Sequence, residues 1–484
     1  PLRIWDTFVV PTDFHSMAVV YAADNGASVV EGANGGLSNT QFSRRAYEYA
    51  DGKGVALTLV SSDINSANHN YPTNYNEAIY IAGALPDTAP FEACGGIGLP
   101  VIGDVVPIPD SAVDACNQFF GFLGGIGLTP SAQPPTTSFF RNANLTQYGG
   151  KADVVLMGAT GSQNTGQASG AAGLLASYGR EVFGDSDPLS NNEIRQLLTM
   201  TAEDVKPLNT GILGQPDAAS EGWDPHFGYG RVNLAAAMKR IADERIPPEA
   251  QIDSPDWFTP INVDRVGPEG LAVRATAAAP HSDTGVGAWR LEYACGQDAL
   301  DSDFQPISSG TGALGDEVVG TLSKTLLDDL ADNCDGSVGT DFGRPVGAAS
   351  DGNAPGDAYP EPDPERHAFQ IRFTVEEAGD ATNIGRYRKT LFAYRDDGNL
   401  PGWPKAVGEG ADATRRITAS GGEVPPRLFD LDGDNALDVL LPTSSGEVHV
   451  LDSAGDPLPS WNGGQPVRTQ TLAVAAAHGT PAGV

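Results

Sequence analysis

The stretch Val154-Val155-Leu156-Met157-Gly158-Ala159-Thr160-Gly161-Ser162-Gln163-Asn164-Thr165-Gly166-Gln167-Ala168-Ser169-Gly170-Ala171-Ala172-Gly173-Leu174-Leu175 decides how the chain reads. Its opening apolar residues suit a buried strand, and the Gly/Thr/Ser run after them suits a turn. Ala168, Ala171, Ala172 and Leu175 then recur at helical spacing. Ser162 therefore falls at a helix start. Backbone N–H groups and the positive dipole end favour a developing anion there. A serine so placed suits a nucleophile, although strand–turn–helix is also ordinary punctuation of an α/β fold.

Working toward the N-terminus, Leu2-Arg3-Ile4-Trp5 reads as a short strand. Thr12 suits the cap of a helix carrying Met17, Val19, Val20 and Ala22 and ending at Gly26. Ala27-Ser28-Val29-Val30 is the next strand. A second helix runs through Phe42, Ala46 and Tyr49 to Gly52, and Val55 to Val60 is a continuous apolar strand. Strands alternating with helices predict a parallel sheet with right-handed crossovers. Ligand chemistry in such sheets sits at the carboxyl ends of the strands.

The chain has 484 residues, room for about two to four domains. Pro1 stands where an initiator methionine would, next to a core-like strand, so we expect an interior piece of a longer chain. The formal net charge of −33 repels nucleic acid and anionic membranes, and no apolar run approaches the roughly 18 residues of a membrane span. The four cysteines fall into two local pairs. Disulfides Cys94–Cys116 and Cys295–Cys334 are expected, and with them an oxidising, extracellular or cell-envelope setting. The alternative is four buried thiols. Residues 91–137, rich in glycine and holding Cys94 and Cys116, read as a disulfide-tied insertion that either lines a cleft or decorates the surface.

The serine stretch resembles the motif of the subtilisin-like serine peptidases, Gly-Thr-Ser-x-Ala-Ser/Thr-Pro-x-Val-Ala-Gly. With Ser162 on the nucleophile, Thr165, Ala168 and Gly170 fall on matching positions. Thr160-Gly161, Asn164 and Gly166 depart from the family's Gly-Thr, Ala and Pro. Further segments follow in the family's order: Ala23 to Val30, Gly54-Val55, Asn70-Tyr71-Pro72-Thr73-Asn74-Tyr75, Ser138-Phe139-Phe140 and Gln147-Tyr148-Gly149. After the serine come Glu193 to Leu198 with Thr201-Ala202, and Gly228-Tyr229-Gly230-Arg231-Val232-Asn233. Ser190 and Glu193 form a capping box. Tyr71-Pro72 fits either a cis or a trans bond. The resemblance implies an α/β subtilisin-like parallel-sheet domain over residues 1–245 that acts on polypeptide substrates.

Past Ile246-Pro247-Pro248 the pattern changes to period two. Trp289, Leu291 and Tyr293 alternate with Arg290 and Glu292. Phe369, Ile371, Phe373 and Val375 alternate with Gln370, Arg372 and Thr374. Antiparallel sheets with one polar face are predicted, assigned to an immunoglobulin-like β-sandwich over residues 249–396 with a spacing or adhesion role and a mobile loop at 344–365. Residues 397–484 are assigned to partial β-propeller blades, because Leu391 to Pro404 echoes Val448 to Trp461. Between the copies, Asp430-Leu431-Asp432-Gly433-Asp434-Asn435-Ala436-Leu437-Asp438 resembles the calcium loop of FG-GAP/VCBS blades. The resemblance implies calcium held by Asp430, Asp432, Asp434, the Ala436 carbonyl and Asp438, with a cell-surface partner for the module. The bland alternative is an acidic turn.

A subtilisin-like site needs a serine, a histidine base, an orienting aspartate and an oxyanion hole. Ser162 is the candidate nucleophile. The family's Asp-Thr/Ser-Gly and His-Gly-Thr motifs belong upstream of the matching region, and none of the seven histidines has that neighbourhood. At the oxyanion position, where the family has Asn, this chain has Asp63. An ionised Asp only accepts hydrogen bonds. Losing one oxyanion donor typically costs about 10²–10³ in rate. Asn65 restores the donor if the register shifts by two. Three readings stay open. One is a secreted serine endopeptidase whose present chain is inactive alone. Another is a subtilase-fold envelope protein that has lost catalysis and binds or supports. The third is a calcium-dependent adhesion module whose peptidase-like half is only a scaffold.

Overall fold

A computed structural model describes residues 12–36, 39–61, 70–85, 141–142, 147, 149–158, 160–205, 221–297, 299–334, 367–396, 400, 403, 405, 407, 426–443 and 447–468. The strand expected at residues 2–5, Asp63, Asn65, the insertion with Cys94 and Cys116, Ser138-Phe139-Phe140, Tyr148 and the 344–365 loop lie outside them.

The N-terminal unit alternates as the sequence predicts: α1 (Thr12–Asp24), β1 (Val29–Gly32), α2 (Gln41–Asp51), β2 (Ala56–Val60) and β3 (Ile79–Leu85). After them come β4 (Arg141–Asn142), β5 (Val154–Met157), α3 (Gly161–Phe183), α4 (Asn191–Met200) and α5 (Leu234–Ala242). β1, β2, β3 and β5 pair in parallel, with Val29 opposite Ala56, Thr58 opposite Ile79 and Ile81 opposite Val154. β4 pairs antiparallel with the end of β3.

Every residue of β2 is buried because helices cover both faces of the sheet. One face packs Ala56, Ile79, Ile81 and Val154 against Ala168, Ala172 and Leu175 of α3 and Ile241 of α5. The small side chains of α3 let it approach the sheet closely. The other face packs Leu57 and Leu59 against Val19, Tyr47 and Ala50. Tyr47, not Tyr49, is the aromatic anchor of α2; Tyr49 points to solvent. The buried face of α2 is wider than its apolar positions suggest, because it also carries Arg44, which is paired with Asp256.

Beyond residue 248 two sheets face one another across a single core. The first, in the order β10-β9-β12-β13-β7, comprises β7 (Pro260–Asn262), β9 (Val286–Cys295), β10 (Gln305–Thr311), β12 (Ala368–Glu377) and β13 (Asp380–Tyr394). The second is β11-β8-β6, from β6 (Glu249–Ser254), β8 (Leu271–Ala278) and β11 (Leu314–Leu322). Phe369, Ile371, Phe373 and Val375 meet Ile252, Val273 and Leu322 between them. α6 (Lys324–Asn333) closes one end, and the expected disulfide Cys295–Cys334 ties its end to β9.

The polar face expected for β12 is not solvated. Gln370, Arg372 and Thr374 are as buried as the apolar residues between them. They lie beside Thr390, Arg388 and Arg386 of β13. The β13 part of that face lies against the N-terminal unit, where Thr390 donates to the Gly150 carbonyl (3.2 Å) and the Arg388 guanidinium stacks over Trp223. The segment after β9 covers the β12 part, with Gln370 donating to the Gln297 carbonyl (2.7 Å) and Arg372 over Phe304. The period-two pattern therefore separates an apolar core from a polar interface, and the sandwich is built into the α/β unit.

The remaining sheet is antiparallel: β14 (Arg427–Phe429), β15 (Asp438–Pro442), β16 (Glu447–Leu451) and β17 (Val467–Arg468). Among the described residues, the opening strands of the two echoing segments lie in different sheets. Leu391 to Tyr394 lies within β13, held there by its long pairing with β12, whereas Val448 to Leu451 lies in this smaller sheet.

Candidate active site

The serine helix is tied back to the strand that precedes it. Thr160 has extended backbone (φ −129°, ψ 150°), and its hydroxyl accepts from the Gln163 N–H at 3.2 Å, an N-cap. α3 then runs for 23 residues, with half-buried Ser162 in its first turn. Two side chains of that turn and the next reach β5. Gln167 donates to the Met157 carbonyl (2.6 Å) and Asn164 to the Gly158 carbonyl (3.2 Å). Gly158 is required there, since a Cβ would lie 2.1 Å from Asn164 Oδ1. Asn164 is fully buried, and its Oδ1 has no hydrogen-bond partner.

Because β2 and β5 run parallel, their carboxyl ends lie on one edge of the sheet. Asp63 follows the end of β2 in sequence, outside the described residues. The neighbouring turn is well fixed. Tyr71-Pro72 is cis, Tyr71 exchanges two backbone hydrogen bonds of 2.8 Å with Gly36 beyond β1, and Thr73 donates to Val60 at the end of β2 (2.7 Å). The ends of β1, β2 and β5 thus assemble one rim, with Ser162 on it.

Three described histidines have structural partners. His15 shares a hydrogen bond with the Tyr47 hydroxyl (3.1 Å), and burial holds its imidazole down at about 4. His281, on the sandwich, lies 2.8 Å from Glu193 and stacks on Phe183. His449 pairs with Glu447.

In the C-terminal sheet, carboxylate oxygens of Asp430, Asp432 and Asp434 lie within 4.8 Å of one another, all exposed. Asp438 is set apart: it is buried and accepts from the Leu431 N–H (2.7 Å), closing the loop. Asp430, Asp432 and Asp434 each also accept a backbone N–H within the loop. The three clustered groups are hard oxygen donors, the chemistry that calcium selects.

The junction between the two units holds ionisable groups that no motif announces. Arg44 pairs with Asp256, both nearly inaccessible. Lys389 Nζ donates to Asn76 Oδ1 (2.8 Å) and to the Ile252 and Pro255 carbonyls (2.7 Å each), and burial holds its pKa down at about 7. Burial pushes the Glu77 carboxyl up to about 7. The only sequence signal is an excess of long polar side chains on the alternate positions of β12 and β13.

No family model matches the chain. In its α/β half the chain is distantly similar to subtilisin-like proteases. Among curated proteins, fervidolysin of Fervidobacterium pennivorans is 22% identical over 248 residues, 49% of this chain and 29% of fervidolysin. Less than a third of that relative is therefore spanned. Among solved structures, sphericase is 15% identical, with 46% of this chain and 64% of that one covered and a TM-score of 0.29. A lanthipeptide protease is 13% identical, with 50% and 69% covered and a TM-score of 0.32.

Proposed function

We propose that this chain is part of a secreted subtilisin-like serine endopeptidase that acts on polypeptides, with Ser162 as its nucleophile. One observation carries the reading: Thr160 caps α3 directly after a buried parallel strand, so Ser162 stands among the first N–H groups of a long helix at the carboxyl edge of the sheet. The order of family-like segments and the similarity to fervidolysin support it. The chain as given does not hydrolyse peptides, because its sequence contains neither the family's histidine motif nor its aspartate motif. Asp63 stands at the oxyanion position and weakens the hole further. Casein hydrolysis by this chain that vanishes in Ser162→Ala would overturn the claim of inactivity.

A second reading has its own support. Asn164, where the family carries a small Ala, is buried with an unmet acceptor against Gly158. A nucleophile turn rebuilt in this way suits a subtilase-fold envelope protein that has lost catalysis. In either case the sandwich is immunoglobulin-like and the C-terminal sheet a propeller-like blade. We assign calcium to the Asp430, Asp432 and Asp434 cluster, with the Ala436 carbonyl and Asp438 completing the loop, and a cell-surface partner to that module. Calorimetric titration tests the metal: calcium should bind, and Asp432→Asn should abolish the heat.

A further inference from the structure

The turn that joins β8 to β9 in the sandwich carries His281 into the corner between α3 and α4 of the α/β unit. Its side chain is 2% exposed, and its ring stacks on Phe183, the last residue of α3, with centroids 4.3 Å apart. Nδ1 lies 2.8 Å from a carboxylate oxygen of Glu193, whose side chain is 1% exposed. Nε2 lies 3.2 Å from the Asp187 carbonyl and 3.6 Å from the Asp187 carboxylate. The other carboxylate oxygen of Glu193 accepts from the Ser190 N–H, so the group that fastens His281 also caps α4.

Both ring nitrogens therefore face acceptors. Ionised Glu193 and the Asp187 carbonyl can only accept. A neutral imidazole has one N–H and would turn a bare nitrogen toward one of them; an imidazolium satisfies both. Burial alone would lower the pKa of His281, but the hydrogen bond and charge of Glu193, with Asp187 behind them, outweigh it and hold it above its ordinary value. Other charged groups act at one remove. The Ser190 hydroxyl donates to Glu249 of β6, whose carboxyl burial pushes up to about 7, and Asp51 and Arg195 face Glu249 in turn. Glu377 of β12 reaches the turn through Ser282, and Arg180 of α3 is bonded to Ser28.

We propose that His281 is a pH-sensitive latch between the two units, closed while its imidazolium bridges Glu193 and Asp187 and loosened when the ring gives up its second proton. Because the closed form raises the pKa, the latch has its full strength below the ordinary 6.5 and loses it as pH rises through the raised value. Loosening removes the Nε2–H bond to Asp187 and leaves the buried Glu193 charge without its counter-ion, which is costly.

Glu193→Gln in the full chain tests this. Glutamine still serves the capping box, and its amide can donate to Nδ1 of a neutral ring whose Nε2–H faces Asp187. By nitrogen-15 NMR of labelled histidine, His281 should titrate above 6.5 in the parent and below it in Glu193→Gln. Hydrogen exchange over residues 279–285, corrected for the intrinsic rate, should lose about tenfold in protection between about pH 6 and about pH 9 in the parent, the equivalent of about one pKa unit. Glu193→Gln should keep its protection, and His281→Gln should show no change between the two pH values. A parent ring that titrates at 6.5 or below, or an equal loss of protection in the parent and in Glu193→Gln, would overturn the proposal.

Discussion

At Gly158 the geometry leaves no room for a side chain, because Asn164 Oδ1 occupies the space that a Cβ would take. Gly158→Ala should cost about 1–3 kcal/mol, the usual penalty of overpacking. Asn164→Ala should cost less, since it also removes a buried acceptor that has no partner. The double variant should recover much of the Gly158→Ala loss, because the second change removes the obstacle. Additive losses in urea denaturation would place the conflict elsewhere. His15 makes a second residue-scale test. Its imidazole is held down at about 4, below the ordinary value of 6.5, by burial. The unfolded chain therefore takes up a proton first as pH falls. The contribution of His15 is complete above 6.5 and drains away toward 4, about 3 kcal/mol in all. Glu77 and Glu249, both pushed up to about 7, act oppositely: their contribution is complete below 4.5 and lost as pH rises to 7. His15→Gln should flatten the acid limb of the stability profile and leave the limb set by these carboxylates unchanged. An unchanged acid limb would show that His15 is not buried neutral.

Among the elements, α4 is the one most completely legible in the sequence. Ser190 and Glu193 form the expected capping box, with Ser190 accepting from the Glu193 N–H at 3.0 Å and Glu193 from the Ser190 N–H at 2.9 Å. Ser190→Ala should cost about 1 kcal/mol. The turn before α5 is similarly readable. Gly230 sits at φ +114°, and a Cβ there would meet the Glu203 carbonyl at 2.2 Å, because the chain passes between Glu203-Asp204 and β5, whose Val155 N–H donates to the Gly230 carbonyl. Gly230→Ala should cost about 3 kcal/mol, from strain and crowding together, read as a shift in the denaturation midpoint. β12 was legible in one respect only. Period two located the strand and its core face, but period two says nothing about what covers the opposite face. Gln370, Arg372 and Thr374 look like a solvent face in sequence, but the sandwich's own segment after β9 covers Gln370 and Arg372 through Gln297, Asp301 and Phe304. The echo between residues 391–404 and 448–461 likewise says nothing about sheet partners: its two opening strands pair in different sheets, β13 with β12 and β16 with β15.

For the whole molecule, the sequence locates the change of architecture near residue 248 and suggests separable modules. The α/β unit and the sandwich instead share buried polar contacts, which depend on residues far apart in the chain. Arg44 with Asp256 is the clearest, and Lys389 with Asn76 another. Asp256→Ala leaves the buried Arg44 with only the longer pairing to Glu48, at 3.7 Å, and should cost about 3 kcal/mol. The α/β unit and the sandwich should still unfold in one calorimetric transition. Two separate transitions in the parent chain would show that the units are independent. The serine site was legible as a position but not as a working centre, since the sequence locates Ser162 through its strand, cap and helix and offers no histidine in the right surroundings. The most direct test is fluorophosphonate labelling of the protein expressed from its full reading frame. The expected result is a single adduct on the peptide containing Ser162, absent in Ser162→Ala. A folded protein that leaves Ser162 unlabelled would contradict its assignment as the nucleophile.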